Sequence, residues 1–517
     1  MERVIGELAT TSSLLREALD RYHTACSAIR RTCVANGLAE QLPPELPIRV
    51  SEEIEQLAAY ELILHDAKSA INFARNSGSF TSINVLPREI ISYIFSLVVA
   101  DEHCGLKQKR TSGRACTHTV LSKYPDILTH VCSYWRQIAL GSHALWTHID
   151  LSFDNSISAQ LVSRADTYAS RAGQASLHLH IHSEPPMQNY PLGGNPLTPR
   201  LIESLAPQTG ELVLRLEKDH DTMGVILEAF LRNCTPGVFT RFSLKTFLTE
   251  TRSCNFIRTK GNLDPEGSLH EEDLILDLPE QRLDDVMVHV TALHTFDLLL
   301  PWSSKAYHNL TDLRLNCNTL PHGGEISESD FVRILRSSPL LQRLELGLTM
   351  IKALPVTTQI DPVILDYIRV LKLDMRESPS SNQFRLGCLL RWISPGSRPL
   401  RVEINEKCMD WDIGGAKALL GDKLFSCFFS RSNVVWVTVN SLWTVAEAVN
   451  LIEVVPSIQA LTLENFHFRP PFELDSEAYF IPQSCRSLDT LYLLRSIVIV
   501  TDLIDLIRAY KIQRILL

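Results

Sequence analysis

The chain has 517 residues, 45% of them hydrophobic and 21% charged, and a net charge of −9. This balance excludes a disordered chain, and the length exceeds what one compact core holds, so two or three units or an elongated repeat array are expected. The modest acidic charge and the lack of a basic stripe exclude a dedicated nucleic-acid binder, and twelve cysteines without a single C-x-x-C pair fit reduced core residues better than a disulfide scaffold or zinc ribbon.

The opening "MERVIGELATTSS" lacks the basic start and apolar run of a signal peptide. No stretch reaches the roughly 18 continuous apolar residues of a membrane span, and "LYLLRSIVIVTDLIDLI" is broken by Arg495, Asp502 and Asp505. An intracellular protein of cytoplasm, nucleus or both is expected, with no membrane or nucleic-acid partner.

Residues 1–80 predict two helices. Ile5, Leu19, Cys26 and Cys33 fall seven or fourteen apart, and Leu8, Leu15, Tyr22 and Ile29 form a second series, broken only at Ser12. Gly37 and prolines 43, 44 and 47 interrupt, and a second helix is expected to restart after Ser51 with Leu57, Tyr60, Leu64, Ala67, Ile71 and Ala74 on its stripe. A short rigid loop between such helices predicts an antiparallel hairpin, with an intermolecular coiled coil as the competing arrangement.

Residues 81–150 carry the most unusual stretch, "INVLPREIISYIFSLVV". Pro87 suits a first helical position and Glu89 the first turn. On the wheel Ile90, Ile94, Leu97 and Val98 make one face, Ile91, Phe95 and Val99 extend it on one flank, and Tyr93 extends it on the other. The apolar arc covers roughly 240°, against about 100° for a helix facing a single core, and only Ser92 and Ser96 form a polar seam. A second helix is expected in "YPDILTHVCSYWRQIALGSHALW", where Ile127, Leu128, Val131, Cys132, Trp135 and Ile138 recur at helical spacing before Leu145 and Trp146. The polar, basic segment between them, about 101–122, predicts a flexible insertion. His103, Cys104, Cys116 and His118 within it do not have the spacing of a familiar zinc finger and are read as loop residues. Without the insertion the unit is too small to build an adequate core alone, so its surplus apolar surface is expected to be one half of a core shared with a partner.

Residues 151–517 predict an irregular repeat. Six segments read as a short amphipathic helix, a break and an apolar strand, among them "FVRILRSSPLLQRLELG" and "AVNLIEVVPSIQALTLE". The strands share apolar residues at i, i+3 and i+5: Leu341/Leu344/Leu346, Ile368/Leu371/Leu373, Ile458/Leu461/Leu463 and Leu488/Leu491/Leu493. "LTDLRLNCN" fills a whole L-x-x-L-x-L-x-x-N form with Leu310, Leu313, Leu315 and Asn318. The centres recur about every 24 to 35 positions, near the roughly 20–29 of leucine-rich repeats. The expected fold is α/β: after the helical segments, a right-handed horseshoe in which neighbouring repeats share one core. Arg314, Asn316, Arg343, Glu345, Lys372, Thr462 and Tyr492 are expected on solvent-facing strand positions.

The strand "LHLHIH" places His178, His180 and His182 on one face. The expectation is an edge strand with Leu177, Leu179 and Ile181 inward and the histidines in water, not a metal site. No phosphate loop, dinucleotide fingerprint, nucleophile elbow or metalloprotease motif occurs, and no catalytic residue, cofactor or metal is expected.

The second region resembles an F-box. The resemblance rests on Leu86-Pro87, the Ile90/Ile94 helix, Val131, Cys132 and Trp135, and the closing Leu145-Trp146. Helical N-terminus, F-box and degenerate leucine-rich repeats together are similar to the layout of many F-box proteins, particularly in expanded fungal families. The resemblance implies a non-catalytic substrate receptor of a cullin-RING ubiquitin ligase: the small three-helix F-box docks on a Skp-type adaptor, through it on a cullin scaffold, and the repeats hold a target protein. It implies that Leu86, Pro87, Ile90, Ile94, Val131, Cys132, Trp135 and Trp146 serve the three-helix fold and its adaptor-facing surface. The insertion after the first helix departs from the family pattern. The alternative is a structural or scaffold protein that uses the hairpin and repeats for protein contacts without any link to ubiquitin.

Overall fold

The computed structural model describes residues 2–35, 45–77, 82–101, 107–110, 117–120, 124–152, 158–182, 197–217, 220–247, 255–262, 273–317, 324–351, 354–355, 358–374, 386–405, 423–440, 445–466 and 486–517. The chain divides into two compact units, residues 1–91 with 132–134, and residues 92–131 with 135–517. It is a mixed α/β protein with a helical N-terminal region and a large parallel sheet.

The first unit is dominated by helices α1 (Glu2–Ala35) and α2 (Leu46–Ser77). α2 starts five residues before the expected Ser51, and Pro47 lies inside its first turn. There a missing N–H costs nothing because that donor has no partner within the helix. The two helices meet where the Tyr22 hydroxyl donates to Glu53 Oε2 at 3.3 Å. Their apolar stripes are not enclosed: Ile5, Leu8, Leu15 and Leu19 on α1 and Leu57, Tyr60 and Ile71 on α2 are all exposed.

Helix α3 (Arg88–Asp101) begins one residue later than expected, with the Pro87 carbonyl accepting from Ile91 N at 3.1 Å. The insertion holds an antiparallel ribbon, β1 (Lys107–Arg110) against β2 (Thr117–Val120), where a flexible loop was expected. Residues 103, 104 and 116 of the histidine–cysteine group lie outside the described residues. The single helix expected next is two, α4 (Asp126–Val131) and α5 (Ser133–Gly141), interrupted at Cys132. A short 3-10 turn, His143–Trp146, then leads into the sheet.

The main sheet has thirteen strands among the described residues, all paired in parallel. It starts with β3 (His148–Ser152), β4 (Leu177–His182) and β5 (Thr209–Glu217) and continues in strict chain order to Arg514–Leu516. All six helix–break–strand segments read in the sequence carry a helix and a strand of this sheet. The register lines up equivalent leucines: Leu313 opposite Leu344, Leu344 opposite Leu371, Leu371 opposite Val402. Every member of the apolar triads is buried, since a strand packed on one face hides every second residue. Asn318, which completed the nine-residue pattern, lies outside the described residues. Among the described cysteines Cys234 and Cys388 are buried thiols, as expected of core residues, whereas Cys26 and Cys427 are exposed and Cys317 is disulfide-bonded, and these three depart from that expectation.

Candidate docking surface

Helix α3 is short and apolar, so two of its sides compete for cover. Ile91 and Phe95, one turn apart, are fully enclosed. Phe95 packs against Trp135 of α5 with ring centroids 4.9 Å apart. Ser92, part of the polar seam, is turned toward the chain's own interior, where its hydroxyl lies 2.8 Å from that of Ser142. The inward side is therefore the flank, and the face built on Ile90 looks outward. Ile90, Tyr93 and Leu97 are 45%, 62% and 52% exposed, and Ile94 between them is half-buried. These positions follow i, i+3, i+4 and i+7, a continuous stripe on one helix.

Helix α4 repeats the division over a single turn. Leu128 is enclosed, while Ile127 and Val131 stand exposed. The break at Cys132 lets α5 turn Ile138 and Ala139 into the core. Trp146 is completely buried: its indole N–H donates to the Ala139 carbonyl at 2.8 Å, Tyr168 meets it edge-on at 5.0 Å, and the Arg171 guanidinium lies 4.3 Å from its ring. Tyr168 and Arg171 belong to helix α6 (Ser158–Ala172), so the helical segment shares its core with the first helix beyond β3.

The eight residues carried over from the resemblance thus separate. Pro87, Ile90 and Val131 are exposed; Leu86, Ile94, Cys132 and Trp135 are half-buried; Trp146 belongs to the interior and offers nothing to a partner. Tyr93, Leu97 and Ile127 join the exposed group without being in that set. The signal for Tyr93 and Leu97 was their position one turn from Ile90 and Ile94.

The sheet carries a second, polar face, on which Arg314, Asn316, Arg343, Glu345, Lys372 and Tyr492, expected in solvent, are half-buried. Its outward side chains form a ladder of ion pairs: Arg314 to Asp312 at 2.6 Å, Lys372 to Glu345 at 3.3 Å and to Glu403 at 3.8 Å, and Arg401 to Glu403 at 2.9 Å. Toward the C-terminal end Trp436 stacks on Tyr492 at 5.2 Å, with the Arg401 guanidinium 4.4 Å from the indole. Thr462, expected in solvent, is buried and accepts the Trp436 indole N–H at 2.9 Å.

The histidine strand departs furthest from its reading. β4 is the second strand, not the edge, and β3 covers its flank with Asp150 opposite His180 and Ser152 opposite His182. Leu177, Leu179 and Ile181 do point into the core, yet His180 and His182 are also buried. Burial pushes both imidazoles down, His180 to about 3 and His182 to about 4, so each is neutral at physiological pH. Burial alone would raise the carboxyl of Asp150, but its hydrogen bond with His148 and the neighbouring imidazoles hold it below its ordinary value.

No helix among the described residues is long and apolar enough to cross a membrane. Comparison of the chain with protein-family models and with curated proteins found no match.

Proposed function

We propose that this chain is a non-catalytic substrate receptor of an SCF-type ubiquitin ligase. In this reading α3, α4 and α5 form an F-box that binds a Skp-type adaptor, and the strand-and-helix array is a degenerate leucine-rich-repeat solenoid that holds the target protein. The observation that carries it is the outward stripe of Ile90, Tyr93 and Leu97, with Ile127 and Val131, left uncovered on helices whose other sides are already packed. Large apolar side chains left in water along one helix face favour a protein partner. The half-buried ladder and the Trp436–Tyr492 stack supply charged and aromatic groups of the kind that anchor protein contacts.

The mechanism is proximity. A receptor that holds its target beside an activated ubiquitin raises the local concentration of the reacting groups, and other subunits supply the reactive thiol. In a pull-down with purified Skp-type adaptor, Ile90→Asp combined with Leu97→Asp is expected to abolish capture while the circular dichroism of the chain stays unchanged. Undiminished capture by the folded double variant would refute the docking assignment.

The exposed stripes of α1 and α2 favour a second reading, a scaffold that gathers proteins through these helices without ubiquitin transfer. Failure of the wild-type chain to bind the adaptor, together with stable capture of other proteins by residues 1–80, would favour it.

A further inference from the structure

β3 and β4 pair in parallel with His148 opposite His178, Asp150 opposite His180 and Ser152 opposite His182. Alternate residues of a strand share a face, so His148, Asp150, His180 and His182 stand on the same side of two neighbouring strands. Candidate ligand atoms of His148, Asp150 and His180 all lie within 4.8 Å of one another. His148 Nε2 is 3.1 Å from Asp150 Oδ1, and the His148 and His180 rings are 4.3 Å apart between centroids. An independent feature points to the same spot. His182 is only 9% exposed, its Nε2 has no hydrogen-bond partner, and that atom lies 3.9 Å from the Asp150 oxygen that His148 also faces. A buried ring nitrogen left without a partner is unfavourable, and a shared acceptor cannot serve two imidazoles equally well.

We propose that His148, Asp150 and His180 bind a divalent transition-metal ion, with His182 placed to complete the set as a fourth ligand. Imidazoles plus one carboxylate suit zinc and its first-row neighbours and do not suit magnesium or calcium, which require oxygen. Zinc bonds of about 2.0–2.1 Å hold tetrahedral ligand atoms roughly 3.4 Å apart, so small side-chain rotations close the set. Among the described residues two positive groups lie near a cation here: Arg215, opposite His182 on β5 but exposed to solvent that screens it, and Arg164 across the cavity, whose charge is paired with Asp126. His148 and Asp150 also line a 350 Å³ cavity beside Tyr124 and Arg164, which gives an ion a route in. A bound ion would clamp the edge strand β3 to its neighbour, next to the turn that carries Trp146.

The test uses the full chain, stripped with chelator and titrated with zinc chloride in a calorimeter, and separately with cobalt(II) as a visible-absorption probe. One zinc per chain and tetrahedral cobalt bands of nitrogen–oxygen coordination are expected. His148→Gln, at a half-buried position that tolerates the change, and His180→Gln should each weaken zinc binding by more than about 100-fold, beyond what a lost outer partner costs. His178→Ala should retain uptake, and circular dichroism confirms that each variant is folded. Absence of stoichiometric uptake by the wild-type chain, or equal uptake by folded His148→Gln, would overturn the proposal.

Discussion

Glu328 opens its helix (Glu328–Ser337) with a carboxylate that is wholly buried yet fully engaged. Oε1 accepts from Arg391 Nη2 at 2.8 Å and from the Trp392 indole N–H, and Oε2 accepts from the Leu354 backbone N–H. Arg391 in turn donates to the carbonyls of Leu354 and Pro355 at 3.0 and 3.1 Å. Removing one member of such a pair strands the other charge, so Arg391→Met is expected to cost about 3–5 kcal/mol in urea denaturation. A loss below about 1 kcal/mol would mean that the remaining donors suffice for Glu328. Asp312 makes the pH-dependent counterpart. Burial works to raise its carboxyl, but the His294 imidazole 3.2 Å away and the hydrogen-bonded Arg314 guanidinium outweigh burial and hold it well below the usual carboxylate range. With the folded value below the unfolded one of about 3.9, this stabilisation is in place above about pH 4 and is lost as the pH falls below it. Asp312→Asn should flatten that acid limb of the stability profile, and an unchanged limb would show that Asp312 contributes nothing to it.

At the scale of elements, α3 divides its work between two sides, and substitution should separate them. Phe95 is enclosed against Trp135, so Phe95→Ala is expected to destabilise by about 3–5 kcal/mol in chemical denaturation. Leu97→Ser, on the exposed stripe, should stay within about 0.5 kcal/mol of the wild type while weakening adaptor capture. If both changes destabilised equally, the stripe would belong to the chain's own core. The wheel showed that α3 was apolar on nearly every side but not which side turned inward, because eight apolar residues around roughly 240° leave that choice to the neighbours. Phe95 meeting Trp135 and Ser92 meeting Ser142 settle it, and both are long-range contacts that no local pattern encodes. The break at Cys132 was hidden for a related reason: the apolar spacing runs on through it. Pro47 misled in the opposite direction, since a proline that stops a helix from inside is harmless in its first turn.

For the molecule as a whole, the sheet was legible where each strand packs one face and hides every second residue. Leu344, Leu371 and Leu461 announce their strands by that alternation, and Leu344 and Leu461 also by the helix that precedes each strand. The N-terminal edge of the sheet was not legible. β3 starts at His148, within residues assigned to the helical segment, and its pairing with β4 is what buries His180 and His182. Thr462 was misplaced because Trp436 on the adjoining strand reaches across to cover it, a contact between strands 26 positions apart. The docking surface was half legible: composition exposed a surplus of apolar area, and only the folded chain divides Ile90 and Val131 from Trp146. The most direct measurement is hydrogen–deuterium exchange of the full chain with and without a purified Skp-type adaptor. Adaptor docking should slow exchange across residues 86–101 and 126–141 and leave the sheet from residue 209 onward unchanged. Identical exchange in those helices at saturating adaptor, or slowing confined to the sheet, would be incompatible with an adaptor-binding helical module.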